Sequence, residues 1–199
     1  MSTEPRKARA DAARNRERIL EAARSLFAER GSQVQLPEVA RTAGVGVGTV
    51  YRHFPALRDL IEAAAEQRFQ EIEAFARTEC LENAEPGQGL VRYLHHVGEV
   101  LTADRGLSAA IEYTRQSPGS EPRGTSRAQL ESVVAEIIAR DRATGTLRHD
   151  CGTADVHLLV GAISATIRTR SGDWRRLVEL ALDGLRSRAT PGQGARIHR

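Results

Sequence analysis

Three observations predict an all-α fold for this chain of 199 residues. Apolar residues recur at helical spacing, as in Ile19, Ala23, Leu26 and Phe27. No stretch alternates apolar and polar residues in the way a half-buried strand would. Breaks rich in Gly, Pro and Ser, NAEPGQG and SPGSEPRGTS, separate the periodic runs. The expected architecture is about nine helices: a helix-turn-helix head over 11–56 and a helical body over 57–188.

Residues 1–10 lack periodicity and are expected to form a mobile basic arm. The first helix is predicted from about Ala12 to Arg30, with Asp11 as N-cap and Gly31 as the C-terminal glycine. Leu36, Val39, Ala40 and Ala43 form the apolar stripe of the second helix. Pro37 falls in its first turn, where a missing N–H costs nothing. Gly44 can turn the chain at positive φ, and a third helix starts at Gly46. That helix buries Val50 and Phe54, spaced four apart. Small Ala40, the glycine turn and Val50 let the second and third helices cross closely. In such a pair the second helix can enter a DNA major groove.

A long fourth helix is predicted from Leu57 to about Glu82, with Leu60, Ile61, Ala64, Phe69, Ile72 and Phe75 along it. Shorter helices follow at Leu90 to Thr102 and Leu107 to Gln116. Residues 117–126 read as a loop, and a seventh helix runs from Ala128 to Ala143. The eighth helix, Ala154–Thr169, is apolar over nearly its whole girth, and the ninth, Trp174–Arg188, is rich in leucine. A helix apolar all round needs cover on more than one side. A second subunit supplies it economically, and Ile163 is representative of the face expected to be covered. Residues 189–199 are expected to be a disordered tail.

The net charge of +3 is unevenly placed, because all of the excess lies within residues 1–68. Arg6, Lys7, Arg9, Arg14, Arg16 and Arg18 carry much of it, as expected of an end that faces nucleic acid. The two cysteines, Cys80 and Cys151, have no metal-ligand spacing and predict neither a disulfide framework nor a metal site. His95 and His96 are adjacent and point about 100° apart on a helix, so they cannot clamp one ion. GVGVG at 44–48 lacks the preceding strand of a nucleotide loop. No apolar segment is long enough for a membrane helix or a signal peptide. The sequence therefore predicts a cytoplasmic protein that is not an enzyme and needs no cofactor.

The string GTVYRHFP after AGV, with RILEAARSLFAERG at 18–31, resembles the tetracycline-repressor (TetR) family of bacterial transcription regulators. The resemblance is close over 14–62 and lies in helix count beyond. It implies a homodimer, paired through the eighth and ninth helices, that binds a double-stranded DNA operator and is released by a small-molecule effector. With the residue types on the third helix, it points to DNA contact at Val47, Gly48, Thr49, Tyr51, Arg52 and His53; the charge excess turns the arginines 14, 16 and 18 toward phosphates, and Arg58 is the candidate for the phosphate contact that the family makes one place earlier. It also implies an effector cavity between the fourth and eighth helices, for which Phe69, Phe75, Tyr93, Val97, Ile111 and Tyr113 are the candidate lining. Two positions depart from the family pattern. Gly46 stands where serine is more often the N-cap, and Leu57 stands where Lys or Arg is usual, with Arg58 one place later. Those departures keep an alternative open: an all-helical small-molecule-binding or interaction module that has lost specific DNA binding.

Overall fold

The computed structural model describes residues 4–187 apart from 118, 120 and 122. Among these residues nine α-helices form the molecule: α1 (Glu4–Arg30), α2 (Leu36–Ala43), α3 (Val47–His53), α4 (Leu57–Phe75), α5 (Gly89–Ala103), α6 (Arg105–Arg115), α7 (Gly124–Ala143), α8 (Thr153–Thr169) and α9 (Trp174–Leu185). The all-α expectation holds. Among the described residues the only β-type pairing is one bridge between Leu147 and Arg186, which ties the α7–α8 connection to the end of α9.

Several boundaries differ from the sequence reading. Helix α1 begins at Glu4, so residues 4–10 are helical where an aperiodic arm was expected. Nothing in those residues breaks a helix once the apolar stretch behind them has nucleated it. Helix α4 ends at Phe75, and Ala76–Glu82 continues as a π-helical turn that buries Ala76 and Cys80. The tail predicted at 189–199 lies outside the described residues.

One core runs from Ile19 in α1 to Val178 in α9. Helix α1 packs on α2, α4 and α6, and so belongs to head and body at once. The closest approach is at Gly106, near the start of α6, where a Cβ would overlap the carbonyl oxygen of Phe27. Arg24 reinforces this crossing. Its guanidinium donates to both carboxylate oxygens of Glu71 at 2.8 Å and to Asp104 Oδ2 at 3.0 Å. Burial alone would lower the pKa of Arg24, but Asp104 and Glu71 outweigh it and raise it. Across the other side of α6, Arg115 holds Glu62 with two bonds of 2.9 and 2.6 Å, which depresses the Glu62 carboxyl.

Helices α8 and α9 are only half covered. Val156, Ile163, Ile167, Trp174 and Val178 point into the core. Leu158 and Leu180 stand 72% and 54% exposed. Ile163 is therefore a correction: it faces the monomer's own core, and the outward stripe of α8 is Ala154, Leu158 and Gly161. Gly161 has open space around it.

Gly106→Ala should destabilise the fold by about 1–3 kcal/mol, because α6 must back away from the Phe27 carbonyl. Urea denaturation measures it; an unchanged midpoint would mean that the crossing can open without loss.

Candidate nucleic-acid interface and body cavity

The turn between α2 and α3 is built as the sequence implies. Gly44 adopts φ 63 and ψ 38, and its N–H and that of Val45 bond back to Arg41 and Ala40. The N–H of Gln35 bonds to Glu38 Oε2 at 3.2 Å at the start of α2, and Arg30 anchors Glu38 at 2.6 Å. Val39, Ala40, Val50 and Phe54 are buried, with α2 packed on α1 and α3 packed on α2, which fixes the angle of α3. Gly46 is the N-cap of α3 and supplies no side-chain bond.

That packing leaves one face of α3 outward. Val47, Gly48, Tyr51 and Arg52 are exposed, and Thr49 and His53 half-buried, so the six predicted residues gather on or beside one surface. Arg58 is exposed in the first turn of α4, and Leu57 beside it packs on the core. The aliphatic residue at 57 thus serves packing and Arg58 projects outward. The N–H of Ala56 bonds to Asp59 Oδ2 at 3.0 Å, which holds this start of α4 in place.

The arginines of α1 divide by job. Arg14 and Arg16 are exposed; Arg14 pairs with Asp11, and the Arg16 guanidinium lies 5.5 Å from the centre of the Phe54 ring. Arg18 is a correction. It donates to the carbonyls of Ala43 and Gly44 at 2.6 and 3.2 Å, and so caps the C-terminal end of α2. Carbonyls at a helix end have no partner within the helix, and a cation there also meets the negative end of its dipole.

In the body, α4, α5, α7 and α8 enclose a cavity of about 440 Å³. Phe69, Tyr93 and Val97 line it as expected, but three other candidates do not. Phe75 stacks on His96 with ring centres 3.6 Å apart, Ile111 is buried core, and Tyr113 is 75% exposed. The sequence reading overlooked Ile72, Leu130, Val160 and, above all, Arg68. Arg68 is fully buried, donates to Ser108 Oγ at 2.9 Å and lies over the Phe69 ring. Desolvation pushes its pKa down to about 10, which still leaves it charged near neutrality. Cys80 is buried as well, and burial raises its thiol to about 11, far from the thiolate that redox chemistry needs. Asp150, next to Cys151, is paired with Arg148.

The head of this chain, residues 19–64, matches the family described as bacterial regulatory proteins, tetR family. Residues 85–187 match the family described as transcriptional regulator SbtR-like, C-terminal domain. This second match spans more than half of the chain. The chain belongs to the TetR family. A TetR regulator from Mycobacterium vanbaalenii is 36% identical, with 90% of this chain and 99% of that chain covered and a TM-score of 0.66. The TetR regulator SCO0520 from Streptomyces coelicolor is 32% identical, with 87% and 99% covered and a TM-score of 0.67. The transcriptional repressor KstR of Mycobacterium tuberculosis is 29% identical over 137 residues, which is 68% of this chain. The match spans 61% of KstR's length. TetR proteins are DNA-binding transcription regulators. No helix among the described residues is long and apolar enough to cross a membrane.

Arg18→Ala should cost about 1 kcal/mol in a denaturant titration, the usual worth of a helix-end bond. Arg14→Ala should stay within about 0.5 kcal/mol of wild type, as exposed substitutions do. Equal effects of the two would show that the cap contributes nothing.

Proposed function

We propose that this TetR-family protein is a cytoplasmic homodimeric repressor. It binds a pseudo-palindromic operator through α3 and leaves it when a small molecule enters the α4–α5–α7–α8 cavity. The observation that carries the reading is the outward face of α3, held by a buried Val50–Phe54 base while Val47, Gly48, Tyr51 and Arg52 face solvent. The N-terminal residues of a recognition helix reach deepest, so Val47, Gly48, Thr49 and Arg52 meet base edges. Tyr51, His53 and Arg58 hold phosphates, and Arg14 and Arg16 supply sequence-independent attraction. The repressor designation of KstR supports the direction of control.

Exposed Leu158 and Leu180, with open space at Gly161 and Gly184, support pairing through α8 and α9. Apolar surface of this kind is covered in most soluble proteins. A two-fold axis there would set the recognition helices about 34–36 Å apart, or further if the heads splay.

The first test is an electrophoretic shift with DNA from upstream of the protein's own coding region, repeated with a metabolite panel. A retarded band that one compound abolishes is the expected result; no retardation with any such DNA would overturn it. Tyr51→Phe should weaken binding to all sequences by a similar factor, and a changed base preference at constant affinity would contradict its phosphate role.

Replacing Arg14 and Arg16 together removes four cations per dimer. The slope of log K against log salt should flatten by up to about 4, and an unchanged slope would take both residues off the DNA.

Leu158→Glu should convert the dimer to folded monomer in light scattering and abolish the shift. A retained dimer would move the interface elsewhere. This variant replaces Ile163→Glu, which would disrupt the monomer core whatever the oligomer.

A further inference from the structure

A second cleft, of about 500 Å³, lies where α1, α5, α6 and α8 meet. Small side chains leave it open: Ala28 of α1, Ala103 of α5, and Gly106 and Ala109 of α6. Its charged lining is Arg105 and Glu112 of α6 with Arg168 and Arg170 at the end of α8. Arg168 reaches Glu112 at 3.8 Å, and Glu112 also accepts the N–H of Gly119 at 3.2 Å. The guanidiniums of Arg105 and Arg170 have no ion-pair partner among the described residues, and both residues are exposed. Three arginines against one carboxylate leave two positive charges in excess. Thr102, Ser108 and Ser164 add hydroxyls, and no aromatic ring among the described residues lines the cleft.

We propose that this cleft binds a small phosphorylated sugar or polyol, its phosphate bridging Arg105 of α6 to Arg168 and Arg170 of α8. A phosphate monoester carries nearly two negative charges near neutrality and presents three acceptor oxygens, which matches the excess. Guanidinium forks take such oxygens in pairs. A monocarboxylate would match only half of the charge. The lack of a ring to stack on disfavours a nucleotide base or an aryl group, whereas the hydroxyls and Glu112 suit a polyhydroxy body. The cleft is distinct from the proposed effector cavity, although Leu101 and Ser164 line both and form a shared wall. Ala28 and Gly106 place it on the α1–α6 seam, so a ligand that ties α6 to α8 there stabilises the joint between head and body.

Calorimetry on the full-length protein, at constant ionic strength, would use ribose 5-phosphate and glycerol 3-phosphate as probes, with ribose and glycerol as their uncharged counterparts. The wild type should bind each phosphate at least about tenfold more tightly than the neutral compound. Arg105→Gln combined with Arg170→Gln should weaken phosphate binding at least about tenfold, with an unchanged melting temperature in the absence of probe. Glu112→Gln should tighten it by about twofold or more, because a repelling charge leaves the cleft. Arg14→Ala combined with Arg16→Ala, in the head, should leave it unaltered. Equal or absent binding of phosphates and neutral compounds by the wild type would overturn the proposal. So would phosphate binding that survives loss of Arg105 and Arg170, or that depends on Arg14 and Arg16. Unchanged or weaker binding by Glu112→Gln counts against it equally, and that variant decides the matter where the double arginine variant fails to fold.

Discussion

Helix α1 has to satisfy two neighbours that have nothing else in common. Its apolar face supports α2 in the head and α4 and α6 in the body, while the charge of Arg24 must be neutralised at the same crossing. Asp104 is nearly buried there, so loss of Arg24 would remove its ion-pair partner and leave only the electrostatic attraction of Arg68. Stranding a fully buried partner costs about 3–5 kcal/mol, and the partial exposure of Arg24 places this pair below that bound. The head depends on this arrangement because α2 and α3 are too short to be stable alone. Helix α2 takes its orientation from α1, and α3 takes its own from α2. The outward face of α3 is therefore set by a chain of packing that begins at α1.

How much of this could be read from residues alone varies with the kind of signal. The helical stripes of α2, α4 and α5 are unambiguous because each buries one face. The positive-φ turn at Gly44 follows from the glycine between two such stripes. Ile163 shows where periodicity stops being informative: α8 is apolar all round, so pattern cannot tell the side that faces the core from the side that faces out. Only the observed neighbours distinguish Ile163 from Leu158. Arg18 is hidden for another reason, since the carbonyls it caps are 25 and 26 residues away in sequence. The start of α1 is not legible because polar residues extend a nucleated helix as readily as they form an arm.

Arg68 is legible in the sequence by its position. It lies four residues after Ala64 and four before Ile72, on the buried stripe of α4. A cation at such a position either snorkels to solvent or is held inside by polar groups. Here it is held inside. Aromatic character is the weaker guide: Tyr113 stands in solvent and Phe75 is occupied with His96. In a chain with only eight aromatic residues, the one charge within an apolar stripe carries more information than the rings beside it.

The seam at Gly106 also bears on how such proteins can be recombined. A cut between residues 56 and 57 looks like a natural place to exchange heads among related regulators. It would carry the Phe27 carbonyl away with the graft and leave Gly106 behind. A recipient with any side chain at the equivalent place in α6 would push the new α1 aside and tilt its recognition helix with it. The portable unit is therefore discontinuous: residues 4–56 together with the first turn of α6.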